Sequence, residues 1–372
     1  MLEPRIARAL LGLVLMAVLP LLASPAAAKN YKQENLVSDL STVGATVVDA
    51  NLLNPWGIVN PPGGPLWVSD NNAGVATLYN GVGTPFPLPP SAPLIVTIPT
   101  PLKGAPPAAP TGIVWGPRGF VVSKGLKSGA AAFIFATEDG TISGWNPTVD
   151  PTHAILTVDN SVLDDPSKTA VYKGLALGTR STLSNKLGLY LYATNFHDGV
   201  VEEYDSTFTF VKSFTDKTLP SGFAPFGIRN INGNLYVTFA LQNTAKHDDV
   251  AGKGHGFVDV FDTDGNMLRR FASKGKLNSP WGLALAPADF GKFSNKLLIG
   301  NTGDGTIHAY DLASGHFAGT LDDQQGKPIS NDRLWALDFG DTVVAANPNE
   351  LFFTAGINNE AHGLFGKIVA VP

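Results

Sequence analysis

Apolar positions along the chain come in short runs, most of them four to six residues long, each closed by Gly, Asp, Asn or Pro. That pattern predicts many short strands joined by turns. The stretch from 280 to 321 shows it most plainly. Pro280-Trp281-Gly282-Leu283-Ala284-Leu285 is followed, after a loop, by Lys296-Leu297-Leu298-Ile299-Gly300-Asn301. Gly303-Asp304-Gly305 then turns the chain into Thr306-Ile307-His308-Ala309-Tyr310-Asp311, and Ala313-Ser314-Gly315 leads to His316-Phe317-Ala318-Gly319-Thr320-Leu321. Tight connections join only antiparallel neighbours, so these four runs predict an antiparallel meander.

The same script recurs along the whole chain. Its openers are Pro55-Trp56-Gly57-Ile58, Pro110-Thr111-Gly112-Ile113, Lys173-Gly174-Leu175, Pro225-Phe226-Gly227-Ile228, Pro280-Trp281-Gly282-Leu283 and Leu334-Trp335-Ala336-Leu337. Successive small residues are 55, 62, 53, 55 and 54 apart, which suits one four-stranded unit and is too short for a domain. The third strands end in Tyr79, Trp145, Tyr204, Phe261 and Tyr310, large rings suited to packing between neighbouring units. One such unit cannot bury both faces of its sheet, so the six must pack around an axis. The expected architecture is therefore an all-β, six-bladed β-propeller of four-stranded antiparallel blades, forming a single domain over residues 29–372. Asn35-Leu36-Val37-Ser38-Asp39-Leu40 precedes the first opener, and the last unit ends at Lys367-Ile368-Val369-Ala370-Val371. The N-terminal strand is thus expected to complete the last blade and close the ring. Between Thr84 and Pro110 the chain is proline-rich, and only Leu94-Ile95-Val96-Thr97-Ile98 reads as an outer edge strand.

Composition agrees with this picture. With 44% apolar and 15% charged residues there is ample material for a core, and 40 glycines and 28 prolines fit a turn-rich fold. Arg5 and Arg8 precede an apolar run from Ala9 to Ala23, and Ala26-Ala27-Ala28 follow it. That order predicts a secretory signal over residues 1–28, cleaved after Ala28, and the run is too short for a spanning helix. The expectation is an exported protein, periplasmic or extracellular. With no cysteine, its stability rests on packing and ring closure. Loss of residues 1–28 takes the formal charge from −5 to −6, because Glu3, Arg5 and Arg8 leave with them. An acidic body with few basic clusters argues against nucleic acid and anionic membrane surfaces, the want of a second apolar stretch of spanning length argues against insertion into membranes, and a monomer is expected.

Candidate chemistry lies at the turns. Asp139-Gly140, Asp198-Gly199 and Asp304-Gly305 are read as tight two-residue hairpin turns. Asp70, Asn195 and Asn301 each stand four residues before a turn glycine, at the end of an inner strand. If the units are related by rotation they recur on one face near the axis, with Glu138 from the second unit. Converging oxygen donors are what a hard cation such as Ca²⁺ requires, whereas Asx capping would keep each one local. The fourth and sixth units carry insertions at the same loop. One holds His247, Asp248, Asp249 and His255, the other Asn358, Glu360 and His362, and both are expected over the rim that carries His197 and Asp198. His197, His255 and His362 are the candidate general bases of that rim. Asp262-Thr263-Asp264-Gly265-Asn266 is not a calcium loop, since its glycine comes too early and no glutamate closes it. Gly252-Lys253-Gly254-His255-Gly256 leads into a strand, so it aims no helix terminus at phosphate.

The Pro-Trp-Gly openers with aromatic-ended third strands resemble NHL-type six-bladed propellers. The segments 246–262 and 351–366 resemble an uncharacterised family of exported bacterial propellers, and the similarity covers nearly all of the mature chain. That resemblance implies the fold and an export route and brings no activity. A weaker resemblance, to the gluconolactonase and senescence-marker propellers, implies Ca²⁺ in the channel, held here by Glu138, Asn195 and Asn301. In that family the glutamate comes from the first unit, whereas Glu138 belongs to the second. Two readings follow. One is a scaffold that binds a small-molecule or protein ligand at the rim with the long loops. The other is a Ca²⁺-dependent hydrolase of lactones or esters with a rim histidine as base.

Overall fold

The computed structural model describes residues 30–371, except 89, 117–118, 163–164, 166–167, 182–186 and 343–345. The expected signal segment, residues 1–28, lies outside the described residues. Six antiparallel sheets follow one another along the chain, and each begins at one of the openers. From first strand to last, blade 1 runs Pro55–Val59, Leu66–Asp70, Val75–Tyr79 and Val96–Thr97. Blade 2 runs Pro110–Trp115, Phe133–Thr137, Thr141–Trp145 and Ile155–Asp159, and blade 3 runs Tyr172–Ser181, Leu187–Asn195, Val200–Tyr204 and Phe210–Phe214. Blade 4 comprises Phe223–Ile231, Asn234–Leu241, Phe257–Phe261 and Met267–Ser273, and blade 5 comprises Pro280–Leu285, Lys296–Asn301, Ile307–Asp311 and Phe317–Thr320. Blade 6 takes Leu334–Phe339, Glu350–Ala355 and Leu364–Val371 from the C-terminal end of the chain and Asn30–Ser38 from the N-terminal end. The first strands touch in a closed cycle, the last against the first, so they line the axis. The described residues contain no α-helix, and no helix among them is long and apolar enough to cross a membrane.

The small residue of each opener has a steric cause. A Cβ built on Gly57 would stand 2.5 Å from Thr111 O of the next blade, and one on Gly112 would stand 2.5 Å from Leu175 N. At Gly227 and Gly282 it would come closer still, to the carbonyl oxygens of Trp281 and Trp335. At these four openers the inner strands approach backbone to backbone and leave no room for a side chain. The pairing register of every inner strand also shifts at or beside this position. Such a bulge bends the strand next to its small residue. Hydroxyls bridge between blades at the same level. Thr111 donates to Tyr172 O at 2.7 Å, Thr194 to Phe226 O at 2.8 Å, Thr302 to Leu334 O at 2.8 Å and Thr354 to Trp56 O at 2.5 Å.

The ring closes as expected. Asn30–Ser38 pairs antiparallel with Leu364–Val371 through eight residue pairs, from Asn30 opposite Val371 to Ser38 opposite Leu364. Tyr31 ties this strand to blade 5 as well, donating from its hydroxyl to Phe290 O at 3.0 Å and accepting from Phe293 N at 3.1 Å. Val47–Val48 adds a short parallel fifth strand outside it. The rings of Tyr79, Trp145, Tyr204, Phe261 and Tyr310 are all buried.

Three details differ from the expectation. At Gly140, Gly199 and Gly305 φ is positive, but it is not so at Asp139, Asp198 or Asp304. The blade 3 hairpin, where Asn195 pairs with Val200, holds four residues in its loop. There the Asp sits in ordinary turn geometry and only the glycine adopts the left-handed form. The edge strand expected over 94–98 pairs only at Val96–Thr97. Finally, a separate hairpin, Val121–Lys124 with Lys127–Ala130, is inserted after the first strand of blade 2.

Candidate functional site

One residue before each small residue, the six inner strands place Trp56, Thr111, Lys173, Phe226, Trp281 and Trp335. These side chains fill the channel partway along. Trp56 stacks on Trp335 with ring centres 3.5 Å apart, and Trp281 meets both edge-on at about 6 Å. Phe226 packs on Trp335 and on Phe196, which comes from the turn of blade 3. Into this aromatic plug blade 3 inserts a cation. Lys173 is only 1% exposed, and its ammonium lies 5.0 Å from the Trp56 ring and 5.8 Å from that of Phe196. An ammonium removed from water this far needs a partner, and Glu138 of blade 2 supplies it through a close ion pair. The plug is polar at its seams. Trp281 Nε1 donates to Lys173 O at 3.1 Å and Trp335 Nε1 to Asn54 Oδ1 at 3.1 Å, while Trp56 Nε1 is buried without a partner.

Above the plug, ionic groups from several blades meet. Asn71 donates to Glu138 at 2.9 Å, and Asp248 stands 3.9 Å from the Lys173 ammonium. His247 and Asp248 share a 2.7 Å hydrogen bond, which raises the histidine above its usual range and lowers the aspartate. Arg333, next to the blade 6 opener, lies 3.4 Å from Asp249 of the blade 4 loop and 3.3 Å from Glu360 of the blade 6 loop. It therefore joins the two insertions past blade 5. Glu360, which also accepts from Asn54 at 3.2 Å, is raised by burial. A cavity of about 270 Å³ opens beside this mouth, lined among others by Pro101, Glu138, Asp139, Ser161, Thr169 and His247. Asp139 there is raised by burial and accepts from Ala109 N at 2.8 Å.

The residues singled out from sequence distribute unevenly over this site. Glu138, His247 and Asp248 come together, with one ligand atom from each within 4.8 Å of the others. Asp70, Asn195 and Asn301 bond within their own blades. Asn195 donates to Asp198 and Glu202, both at 2.8 Å. Asn301 donates to Asp304 at 3.2 Å and to Lys276 O at 2.8 Å, and Asp70 accepts from Thr77 at 2.7 Å. His197 contacts Asp198 at 3.1 Å, with Gln242 donating to the backbone carbonyls of Phe196 and His197. His255 contacts Val250 O at 2.9 Å and faces a groove on blade 4 with Phe223 and Lys274. His362 contacts Asp39 of the N-terminal segment at 2.6 Å, and Asn358 is exposed with φ +55°. Lys173, Arg333 and the tryptophan plug were not anticipated. Lys173 had one signal, a charge where the other openers carry Trp, Phe or Thr.

Asp70 allows a pH prediction. Full burial holds its carboxyl well above the ordinary 3.8, and its Oδ1 has no partner. A carboxyl raised in the folded state contributes stability at acid pH, and this is lost as pH rises through its folded value. Where the folded chain holds the proton and the unfolded chain does not, the loss reaches about 1.4 kcal/mol per pH unit. Asp70→Asn removes this dependence. Its melting temperature is therefore expected to gain on the wild type between about pH 5 and about pH 8. A constant difference across that range would contradict the assignment.

Fold and site together define a six-bladed β-propeller whose channel is closed by aromatic side chains around a buried lysine, beneath an ionic mouth. No family model matches the chain. It is 31% identical over 355 residues to an uncharacterised protein of Acanthamoeba polyphaga mimivirus, a match covering 92% of this chain and 81% of the viral one. A second uncharacterised protein of the same virus is 30% identical over 356 residues, covering 92% of this chain and 87% of its own. The chain belongs to the family of these viral proteins. They are viral where the resemblance implied bacterial relatives. Among solved structures, virginiamycin B lyase from Staphylococcus aureus superposes with a TM-score of 0.50 at 15% identity, covering 92% of this chain and all of that one. At that identity the likeness is one of fold.

Proposed function

We propose that the protein is an exported binding scaffold, monomeric, that takes its ligand at the mouth framed by the blade 4 and blade 6 loops. The observation that carries this reading is the convergence over Lys173 of side chains from blades 2, 4 and 6, beside a cavity large enough for a small molecule or a protruding side chain of a protein. The charge there is unbalanced. Glu138, Asp248, Asp249 and Glu360 lie against Lys173, Arg333 and His247, and Asp139 lines the adjoining cavity, so a ligand bearing amino groups is favoured over an anionic one.

A Ca²⁺-dependent hydrolase is the second reading, favoured by the Glu138, His247 and Asp248 cluster. Against it, the Lys173 ammonium already holds Glu138 and faces Asp248, supplying the positive charge that a cation would bring. One thermal-shift panel tests both. Amines such as spermidine are expected to raise the melting temperature of the wild type and to lose most of that effect in Glu138→Gln and Asp248→Asn. Carboxylates such as succinate, and millimolar Ca²⁺ against chelator, are expected to leave it unchanged. Amine shifts equal in wild type and variants would overturn the binding reading. A Ca²⁺ shift with lactone or aryl-ester turnover that fails in His197→Ala, His255→Ala or His362→Ala would establish the hydrolase instead.

A further inference from the structure

We infer that the opposite end of the channel is a second binding site, for a small neutral molecule with an apolar body and one hydrogen-bonding end. Each inner strand runs from the ionic mouth towards the other face of the ring. Beyond the plug the six of them enclose a cavity of about 260 Å³. Its wall repeats with the blades, since the residue after each small one is Ile58, Ile113, Leu175, Ile228, Leu283 and Leu337, and all six line the cavity. Trp281 also lines it, and its ring packs against the rest of the plug, so the tryptophans separate this cavity from the ionic mouth. The site therefore stands independently of the binding reading above.

Polar side chains gather only towards the outer end. There Arg229 of blade 4 reaches past Ala284 of blade 5 to blade 6, donating to Leu337 O at 3.0 Å and pairing closely with Asp338. Asn60 and Asn230 lie at the same level. The guanidinium and carboxylate offset each other, so the opening attracts neither anions nor cations. It still presents donors and acceptors, and each inner strand adds the free edge of its sheet. An apolar lining with a few polar groups at one end is how proteins hold small ligands. An apolar cavity of about 150 Å³ accommodates benzene, so this one has room for roughly ten non-hydrogen atoms.

The experiment is a calorimetric titration of the mature chain with 2-naphthol, which has an apolar bicycle and one hydroxyl, and with the anion 2-naphthoate. The wild type is expected to bind one 2-naphthol per chain in a saturable manner and 2-naphthoate at least tenfold more weakly. Leu175→Phe and Leu337→Phe fill the cavity from different blades, and each is expected to weaken 2-naphthol at least tenfold. Glu138→Gln, at the other mouth, is expected to leave it unchanged. Asp338→Asn frees the Arg229 charge and should narrow the gap between the two probes. Circular dichroism confirms which variants fold, and either filled variant alone decides. Absence of saturable binding, undiminished binding in a folded filled variant, or equal affinity for 2-naphthol and 2-naphthoate in the wild type would each overturn the inference.

Discussion

Gly227→Val is expected to cost at least about 4 kcal/mol, enough to leave little folded protein at physiological temperature. A side chain at 227 would be driven into Trp281 O and towards Thr238 Oγ1, which itself bonds the amide of Gly227 at 2.7 Å. Neither neighbour can yield cheaply. The first is backbone of the next blade's inner strand, and moving it would disturb the stacked tryptophans at the axis. The control is Ala336, the one opener that carries a methyl in place of hydrogen. Ala336→Gly is expected to cost only about 1 kcal/mol, the entropic penalty of glycine in a strand. Chemical denaturation of both variants measures the contrast. Similar midpoints would show that the inner strands are not in backbone contact.

Removal of residues 30–45 is expected to be nearly as severe. It strips eight residue pairs from Leu364–Val371 and takes away buried Tyr31, Leu36 and Val37. Each such side chain contributes about 1.5–3 kcal/mol, so the three together account for about 4.5–9 kcal/mol before any hydrogen bond is counted. In a large domain each kilocalorie is worth about 2–4 °C, so the melting temperature should fall by 10 °C or more. The uncovered strand is also a template for pairing between molecules, so the shortened chain should aggregate. A melting curve that overlies the wild type would mean that the two termini do not form one blade.

Much of the fold was legible because its repeated residues answer to repeated constraints. Pro-Trp-Gly recurs where inner strands must touch, and an aromatic stands at the end of the third strand in blades 1 to 5, where adjacent blades pack. The candidate site was legible only in part. Rotational equivalence places Asp70, Asn195 and Asn301 at matching points, but spacing carries no information on where a side chain points, and each bonds within its own blade. The partner of His362 is Asp39, more than 300 positions away, and no local pattern announces such a pair. Arg333 adopts φ +48° just before its opener, as Asn54 and Ser279 do before theirs. Nothing in its identity foretells that it links the two insertions. Lys173 could have been found, because a charge at a position otherwise filled by Trp, Phe or Thr interrupts the repeat where a core demands an apolar group.

The central claim, that the mouth over Lys173 receives the ligand, is tested most directly by amide hydrogen exchange with and without the amine that stabilises the protein best. The account predicts slower exchange at 137–140, 243–256 and 356–363, the turn and loops that frame the mouth. Protection confined to the opposite face, around Asn60, Arg229 and Asp338, or protection nowhere in those three segments, would contradict it.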